Sequence, residues 1–475
     1  MTSTPPPSVE RLSLRDPAGE LYRAGGRIIR LVNEEGVENL KIFLDAGVLA
    51  PFREKGSIIG TRPLDPASLP PLDGAKTPAL AVEHDPIPFP SYAYEWPAEM
   101  LHAAGELTLD LARACLKDGI GLKDAKPDNV MFDGPTPVFI DALSFERRTP
   151  GDPIWRAGAQ FVRTFILPLL THKELGLGIN DLLLTHADGL KPEEVNRLLP
   201  LWRRLAPGVF GTVTLPALFG RLAKDSKIYR PKILPSDEKA RFIMGQTLAG
   251  LGRNLGRVTP PTGRASVWSD YMETSSYDES EFRDKEAFVS ETVKELAPKT
   301  ALDVGCNTGH FSRILAGAGA SVVAIDLDPV VAGETWKRAK EENLDILPLV
   351  QNLARPSPGA GWRNREQDSF LSRARGRFDV VVMLAVIHHM MVSDGIPLDE
   401  ILSLAAELTR DSVIIEFIPR DDPMFQRILR GRDELYADYS QQAFEAACRE
   451  KFEISRRGTE KSGQRTLYWL RLRQK

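Results

Sequence analysis

Short runs of β-branched residues alternate with helix-length stretches through the second half of the chain, and few folds tolerate that pattern. "TALDVGC", "SVVAIDL", "ILPLVQNL", "FDVVVML" and "DSVIIEFI" follow one another between Thr300 and Ile418. Each is almost continuously apolar, as a strand must be when both of its faces are covered. The alternation predicts a parallel α/β sheet with helices on its faces. The first strand, Ala301 to Val304, enters a turn containing Gly305 and Gly309, then a helix starting near Phe311. Glycine suits a backbone that bends tightly and leaves no Cβ in the path of a ligand. The next strand ends at Asp326, where one carboxylate can accept hydrogen bonds from both ribose hydroxyls. A dinucleotide site shares this logic. G-C-N-T-G is not G-x-G-x-x-G, however, and the missing third glycine makes an NAD-dependent dehydrogenase the weaker reading.

The spacing resembles instead the class I S-adenosylmethionine-dependent methyltransferases, whose first motif is commonly D/E-x-G-x-G or D-x-G-C-x-x-G. The resemblance covers roughly Tyr271 to the C-terminus and implies a Rossmann-like, seven-stranded sheet. It implies that Asp303, Gly305 and Gly309, with Cys306 and Asn307 in the same turn, shape the methionine-end pocket. Asp326, followed by Leu327, holds the ribose; Asn352 accepts from the adenine amine, and Leu353 flanks the purine. The plainer alternatives are an ordinary turn for the glycines and a surface carboxylate for Asp326.

In an open parallel sheet the acceptor sits outside the carboxyl ends of the strands. "FDVVVMLAVIHHM" brings His388 and His389 to that edge, where an imidazole suits base work or the orientation of a hydroxyl. Only one of two adjacent residues is expected to face a ligand, and packing against the next helix is an equally open reading. Glu416, ending "DSVIIEFIP", is a weaker acceptor-side candidate. Before the sheet, "SSYDESEFRDKEAFV" resembles the helix that closes over the donor in such enzymes. Lys285 there is placed to pair with the donor carboxylate, with a solvated helix lysine as the plainer alternative.

The first half has a different texture. "ELYRAGGRIIRLV" reads as a hairpin around Gly25 and Gly26, and "EEGVENLKIFLDAGV" as a helix capped by Gly47. Short strands follow at "GSIIGTRPL" and "PALAVEH", then a long amphipathic helix ending near Gly119. "IWRAGAQFVRTFILPLL", "PEEVNRLLPLWRRLA" and "LPALFGRLAKD" read as further helices, and "GRVTPPTGRAS" as a linker. Between them, "GLKDAKPDNVMFDGPTPVFIDALSFE" holds D-x-x-x-x-N from Asp124 to Asn129, with Lys126 and Pro127 inside it and Asp141 behind.

That stretch resembles the catalytic segment of protein kinases and aminoglycoside kinases, where H-R-D-x-K-P-x-N precedes a metal-binding Asp. The resemblance implies Asp124 as base, Lys126 as phosphate contact, and Asn129 and Asp141 as magnesium ligands, with ATP as the nucleotide. It also implies an α+β domain with a small first lobe and a mostly helical second one. "LKD" replaces His-Arg-Asp, "DAL" replaces Asp-Phe-Gly, and Arg27 and Arg30 stand where a phosphate-pairing lysine is usual. Without that lysine or a glycine-rich loop, active phosphotransfer is less favoured than kinase-like ancestry. Asp124 and Asn129 serve equally well as turn or helix caps.

At 475 residues the chain exceeds one ordinary core. The expected divisions are a mobile opening at 1–16, lobes at 17–95 and 96–256, a linker at 257–268, and the α/β domain at 269–475. A net charge of −4 gives no general pull toward nucleic acid, and the arginines from Arg363 to Arg377 read as a solvated face. Cys115, Cys306 and Cys448 are too scattered for a disulfide framework or metal motif, so a cytoplasmic setting is expected. The first residues lack the pattern of a signal peptide, and "FILPLL" is far shorter than a bilayer span.

Together these features point to a methyltransferase joined to a kinase-like domain, acting on a small molecule or glycan. The whole-chain order resembles methyltransferase-domain proteins sometimes labelled as nodulation-related. Two rivals differ in the first half. In one it phosphorylates a hydroxyl that the second half then methylates, as in O-antigen chain-terminating kinase/methyltransferases, which carry the domains in the opposite order. In the other it is a pseudokinase that binds substrate, nucleotide or partner.

Overall fold

The computed structural model describes residues 9–65, 69, 77–222, 233–261, 279–459 and 465–473. Residues 1–8 of the expected mobile opening, most of the linker and the first residues of "SSYDESEFRDKEAFV" lie outside the described residues. The rest of that opening is not a loose end, since Val9–Arg11 pairs as an edge strand with Tyr22–Ala24. The chain divides into two compact units, residues 1–262 with 361–366 and residues 263–360 with 367–475.

The first unit begins with an antiparallel sheet. Its strands are β1 (Val9–Arg11), β2 (Gly19–Ala24), β3 (Arg27–Val32), β4 (Thr61–Leu64) and β5 (Leu80–His84), in the order β1-β2-β3-β5-β4. Gly25 and Gly26, both with positive φ (58° and 81°), close the β2–β3 hairpin in a turn that ordinary L-residues adopt at a penalty. Tyr22, Ala24, Ile29, Leu31 and Ala81 form a core on one face of this sheet. The helix Glu34–Asp45 follows β3, and its C-cap is Ala46 rather than Gly47, which instead opens a short 3-10 turn.

The helix Ala98–Lys117 is buried along most of its length, and His102 Nε2 lies 3.2 Å from the carbonyl of Leu255 on the helix Asp237–Arg257. The latter helix escaped the sequence reading because Gly245, Gly250, Gly252 and Gly256 lower its propensity. Its signal was nonetheless present: Ser236 accepts the Lys239 N–H at 3.2 Å, and Ala240, Met244, Leu248, Leu251 and Leu255 are buried at helical spacing. "PEEVNRLLPLWRRLA" is not one helix. It stops at Leu198, before Pro200, which lacks an N–H, and resumes as a 3-10 turn at Arg203–Leu205.

Gly121 to Glu146 folds as two nested ribbons. Strand β6 (Ile120–Leu122) pairs with β9 (Phe145–Arg147), and within that frame β7 (Val130–Asp133) pairs with β8 (Thr136–Phe139). A 3-10 turn at Pro127–Asn129 joins β6 to β7.

The second unit is built on a seven-stranded sheet. Its strands are β10 (Thr300–Val304), β11 (Ser321–Asp326), β12 (Ile346–Val350), β13 (Phe378–Met383), β14 (Thr409–Phe417), β15 (Phe452–Thr459) and β16 (Thr466–Leu472). They lie in the order β12-β11-β10-β13-β14-β16-β15, all parallel except β16, which inserts antiparallel between β14 and β15. The central strands are buried almost end to end, as expected with helices on both faces. The chain leaves β10 toward β11 on one side and later returns to β13 on the other, so a crevice opens beyond the carboxyl end of β10. Ala360 and Gln367 pair across the base of the segment assigned to the first unit. Among the described residues, no helix is long and apolar enough to cross a membrane.

Candidate active site

Beyond the end of β10 the backbone turns through Gly305, Asn307 and Gly309 at φ 72°, 49° and 79°. The N–H groups of Gly305 and Cys306 both donate to the carbonyl of Ile325, at 2.8 and 3.0 Å, tying this turn to the neighbouring strand. A Cβ on Gly305 would lie 2.5 Å from a methyl of Val386, and one on Gly309 would lie 2.7 Å from the methyl of Thr335. Both positions therefore require glycine twice over, by φ and by space. The helix His310–Gly317 starts immediately afterwards, one residue earlier than expected.

The turn is held by two carboxylates. Asp303 is 3% exposed, and its Oδ2 accepts the Ser312 hydroxyl at 2.6 Å. Burial raises its pKa to about 6, against the opposing effect of that hydrogen bond. Asp326 accepts the N–H of Asn307 on Oδ2 and that of Asp328 on Oδ1, both at 2.9 Å. Burial pushes its pKa up, while these backbone donors pull the other way. Burial also raises the Cys306 thiol well above its ordinary value, so this sulfur is not a nucleophile at neutral pH.

Around the turn lies a cavity of about 400 Å³, the size of a site for a small organic ligand. Asp303, Gly305, Cys306, Asn307, Asp326, Leu327, Asn352, Leu353, Lys285 and His389 line it. Gly309 shapes the turn without lining the space. Sequence reasoning missed Phe282, Phe311, Gln351, Met390, Ser393 and Asp394, which line it too. Phe282 packs near His310 and Phe311, with ring centroids 4.8 and 6.1 Å away. An aromatic residue in the preceding helix gave no local signal of this role. Asn352 Oδ1 accepts the N–H of Ala354 at 2.9 Å, which fixes its side chain after β12.

The two histidines separate. His389 lines the cavity, and burial lowers its pKa, partly opposed by Asp394. His388 is fully buried, and its ring stacks toward Phe425 at 6.3 Å with no hydrogen-bond partner for either nitrogen. Burial, His389 and Lys285 hold it neutral, far below the ordinary imidazole value. His388 is thus a packing residue and not a base: successive residues of the helix Ile387–Val392 point about 100° apart, and this one faces the core.

Lys285 is not a solvated helix lysine. It is 3% exposed, and its Nζ lies 2.7 Å from Oε1 of the fully buried Glu416. The other carboxylate oxygen, Oε2, accepts the N–H of Ala385 at 2.8 Å. Glu416 is absent from the cavity lining, so its candidacy as an acceptor contact is corrected: both oxygens are engaged beneath the wall. Ala385 has a φ of 52°, a left-handed conformation costing an L-residue roughly 1–2 kcal/mol.

In the first unit, the other candidates lie in and around the nested ribbons. The N–H of Ile140, the residue before Asp141, donates to the carbonyl of Asn129 at 2.9 Å. Asn129 is 4% exposed with its Nδ2 unpartnered, while Asp141 Oδ1 accepts the Leu143 N–H at 3.1 Å. Lys126 Nζ lies 3.8 Å from Asp128, and the half-buried Asp124 precedes Ala125, whose N–H donates to Gln160 Oε1 at 2.7 Å. Among the described residues, no cluster of three or more His, Cys, Asp or Glu forms a metal cage.

A mostly parallel sheet with a glycine turn at its switch point, a carboxylate ending the next strand and a cavity beside them defines a fold of the methyltransferase type. The chain carries an S-adenosylmethionine-dependent methyltransferase domain: residues 277–448 match the family described as "Methyltransferase domain". Along nearly its whole length it is similar to the nodulation protein NoeA of Rhizobium meliloti, 28% identical over 473 residues, covering 98% of this chain and 97% of the relative. It is also similar to the O-antigen chain terminator bifunctional methyltransferase/kinase WbdD of Escherichia coli, 30% identical over 138 residues, or 29% of this chain and 18% of that protein. A third relative is the ubiquinone biosynthesis O-methyltransferase of Caulobacter vibrioides, 32% identical over 91 residues, or 19% and 31% of the two chains.

Proposed function

We propose that the cavity of the second unit holds S-adenosylmethionine and that the chain methylates a hydroxyl of a small-molecule or glycan acceptor. S-adenosylmethionine supplies an electrophilic methyl on a sulfonium. Methyl transfer then depends chiefly on alignment, which groups fixed around one pocket provide. Asp326 accepts from the ribose hydroxyls, Asn352 and Leu353 take the adenine, and the turn from Asp303 to Gly309 shapes the space for the methionine end. Lys285 offers its charge to the donor carboxylate. His389, neutral and at the cavity wall, takes the proton of an acceptor hydroxyl.

The observation carrying this reading is the convergence of Asp326, Asn352, Lys285 and His389 on one cavity from four separated stretches of sequence. Calorimetry with S-adenosylhomocysteine tests it: binding is expected for the full chain, and none would overturn it. Domain limits of 269–475 for this half and 17–256 for the other, and a cytoplasmic setting, belong to the same reading.

For the first unit we propose a kinase-like fold. The five-stranded sheet with its helix Glu34–Asp45, the long helix Ala98–Lys117 and the nested ribbons around Pro127–Asn129 support it. A second, bifunctional reading rests on the pairing of Asn129 with Ile140, next to Asp141, and on likeness to a methyltransferase/kinase. Asn129 and Asp141 offer the hard oxygen donors that magnesium takes, and bound nucleotide phosphates ordinarily complete such a shell. Turnover of labelled methyl donor in a metabolite extract, with and without ATP, separates the two: a product carrying methyl alone supports the first, and one carrying phosphate plus methyl the second.

A further inference from the structure

Glu416 stands outside the cavity, yet two parts of the cavity wall depend on it. Its Oε1 holds Lys285 from the helix Glu279–Leu296, and its Oε2 holds the N–H of Ala385 in the turn after β13. Both Lys285 and Ala385 line the cavity. The Ala385 turn also sets the depth of the pocket, because the adjacent Val386 reaches to within 2.5 Å of where a Gly305 side chain would begin. On its remaining side Glu416 lies 3.7 Å from Arg465, whose Nε donates to Asp422 at 2.8 Å. Asp422 in turn accepts the N–H groups of Met424 and Phe425 at 2.8 and 3.2 Å, capping the helix that carries Phe425 against His388.

We propose that Glu416 is the positioning residue of the donor site: one buried carboxylate aims the Lys285 ammonium into the cavity and clamps the left-handed Ala385 turn against the glycine turn. This rests on the donor reading above. A carboxylate suits the task because only an anion can hold an ammonium and a backbone N–H on separate oxygens while compensating the buried positive charge. Glutamine retains an acceptor for Ala385 but loses the charge that fixes Lys285.

The proposal separates the two ends of the ligand. S-adenosylhomocysteine carries an amino-acid carboxylate, whereas 5′-methylthioadenosine lacks the whole amino-acid end and shares the nucleoside. Glu416→Gln and Lys285→Met are therefore expected to weaken S-adenosylhomocysteine about 10- to 100-fold and leave 5′-methylthioadenosine within about twofold. In turnover, the KM for the methyl donor rises more than kcat falls. A purely structural ion pair predicts something else. Each single variant then loses thermal stability because a buried charge loses its nearest partner, and the double Lys285→Met/Glu416→Gln variant recovers both stability and affinity. Here the double variant is expected to recover stability while S-adenosylhomocysteine stays weak.

If the unaltered protein binds neither ligand, the donor reading itself is wrong. If it binds both, and the variants weaken both equally or neither at all, Glu416 has no positioning role. Should a single variant fail to fold, the double variant carries the comparison, and full recovery of S-adenosylhomocysteine affinity in it overturns the proposal.

Discussion

The carboxylate of Asp326, at the end of β11, accepts the backbone N–H of Asn307 across the turn that leaves β10, at 2.9 Å. One group thereby supports a left-handed residue of the glycine turn and faces the cavity. Asp326→Ala is expected to weaken S-adenosylhomocysteine about 10- to 100-fold, the loss of hydrogen bonds to a charged acceptor. Asp326→Asn retains part of the affinity through its remaining oxygen. Unaltered binding by Asp326→Ala in calorimetry would remove Asp326 from the site.

Gly305 and Gly309 fail differently from Asp326. Alanine at either combines a positive φ with a contact below 3 Å, to Val386 or Thr335. Each substitution should destabilise the second unit by about 1–3 kcal/mol and distort the pocket. Thermal unfolding would show a shift of several degrees in both variants, whereas alanine at the exposed Gly317, with nothing near its Cβ, leaves the midpoint unchanged.

The pH dependence of turnover reports on His389. Burial lowers its pKa from 6.5, so the neutral, proton-accepting form persists to lower pH than for a free imidazole. The rate should hold through neutrality and fall about tenfold per pH unit once the pH drops below the lowered value. His389→Gln should reduce kcat by about 100-fold or more and flatten that limb. The same experiment on His388→Gln should leave the limb in place, because that ring does not reach the cavity. An acidic limb that survives His389→Gln would assign the proton to another group.

Folding stability has a pH signature in the first unit. His84 is buried on β5, and desolvation lowers its pKa to about 3, while the unfolded value is 6.5. Between these values the unfolded chain binds the proton and the folded one does not, so stability falls as pH drops below about 6.5. His84 Nδ1 lies 2.8 Å from the Thr61 hydroxyl, and no charged partner offsets the desolvation. The unfolding midpoint of the first unit should decline from pH 7 toward pH 4, and His84→Gln should reduce that decline. An equal decline in the variant would move the cause elsewhere.

Magnesium-dependent ATP binding decides between the two readings of the first unit. If it is a working phosphotransferase, Asp141→Asn should weaken ATP in the presence of magnesium by at least tenfold and leave the metal-free signal unchanged. ATP binding that ignores both the metal and the substitution points to a non-catalytic binding module.

Much of the donor site was legible because its parts are local. The strand, the two glycines, the next strand and its terminal Asp326 occupy fewer than about thirty consecutive residues, and each has a residue-type requirement of its own. The helix Asp237–Arg257 was harder to read, since its glycines weaken the periodic signal and packing against other elements, Ala98–Lys117 among them, stabilises it. Phe282 and Phe311 were not foreseen as cavity walls, because an aromatic side chain in a helix announces burial and not which space it borders.

The sequence by itself determined the alternating sheet, the glycine turn and the carboxylate at the end of β11, through spacing and backbone conformation that hold within a short stretch. The tertiary structure alone decided which of His388 and His389 faces the cavity, since one residue of helical phase separates the two and packing against Phe425 sets that phase. It alone decided the fate of Lys285, whose partner Glu416 lies 131 residues away. A buried ammonium must be compensated, and only the folded sheet brings the compensating carboxylate within reach.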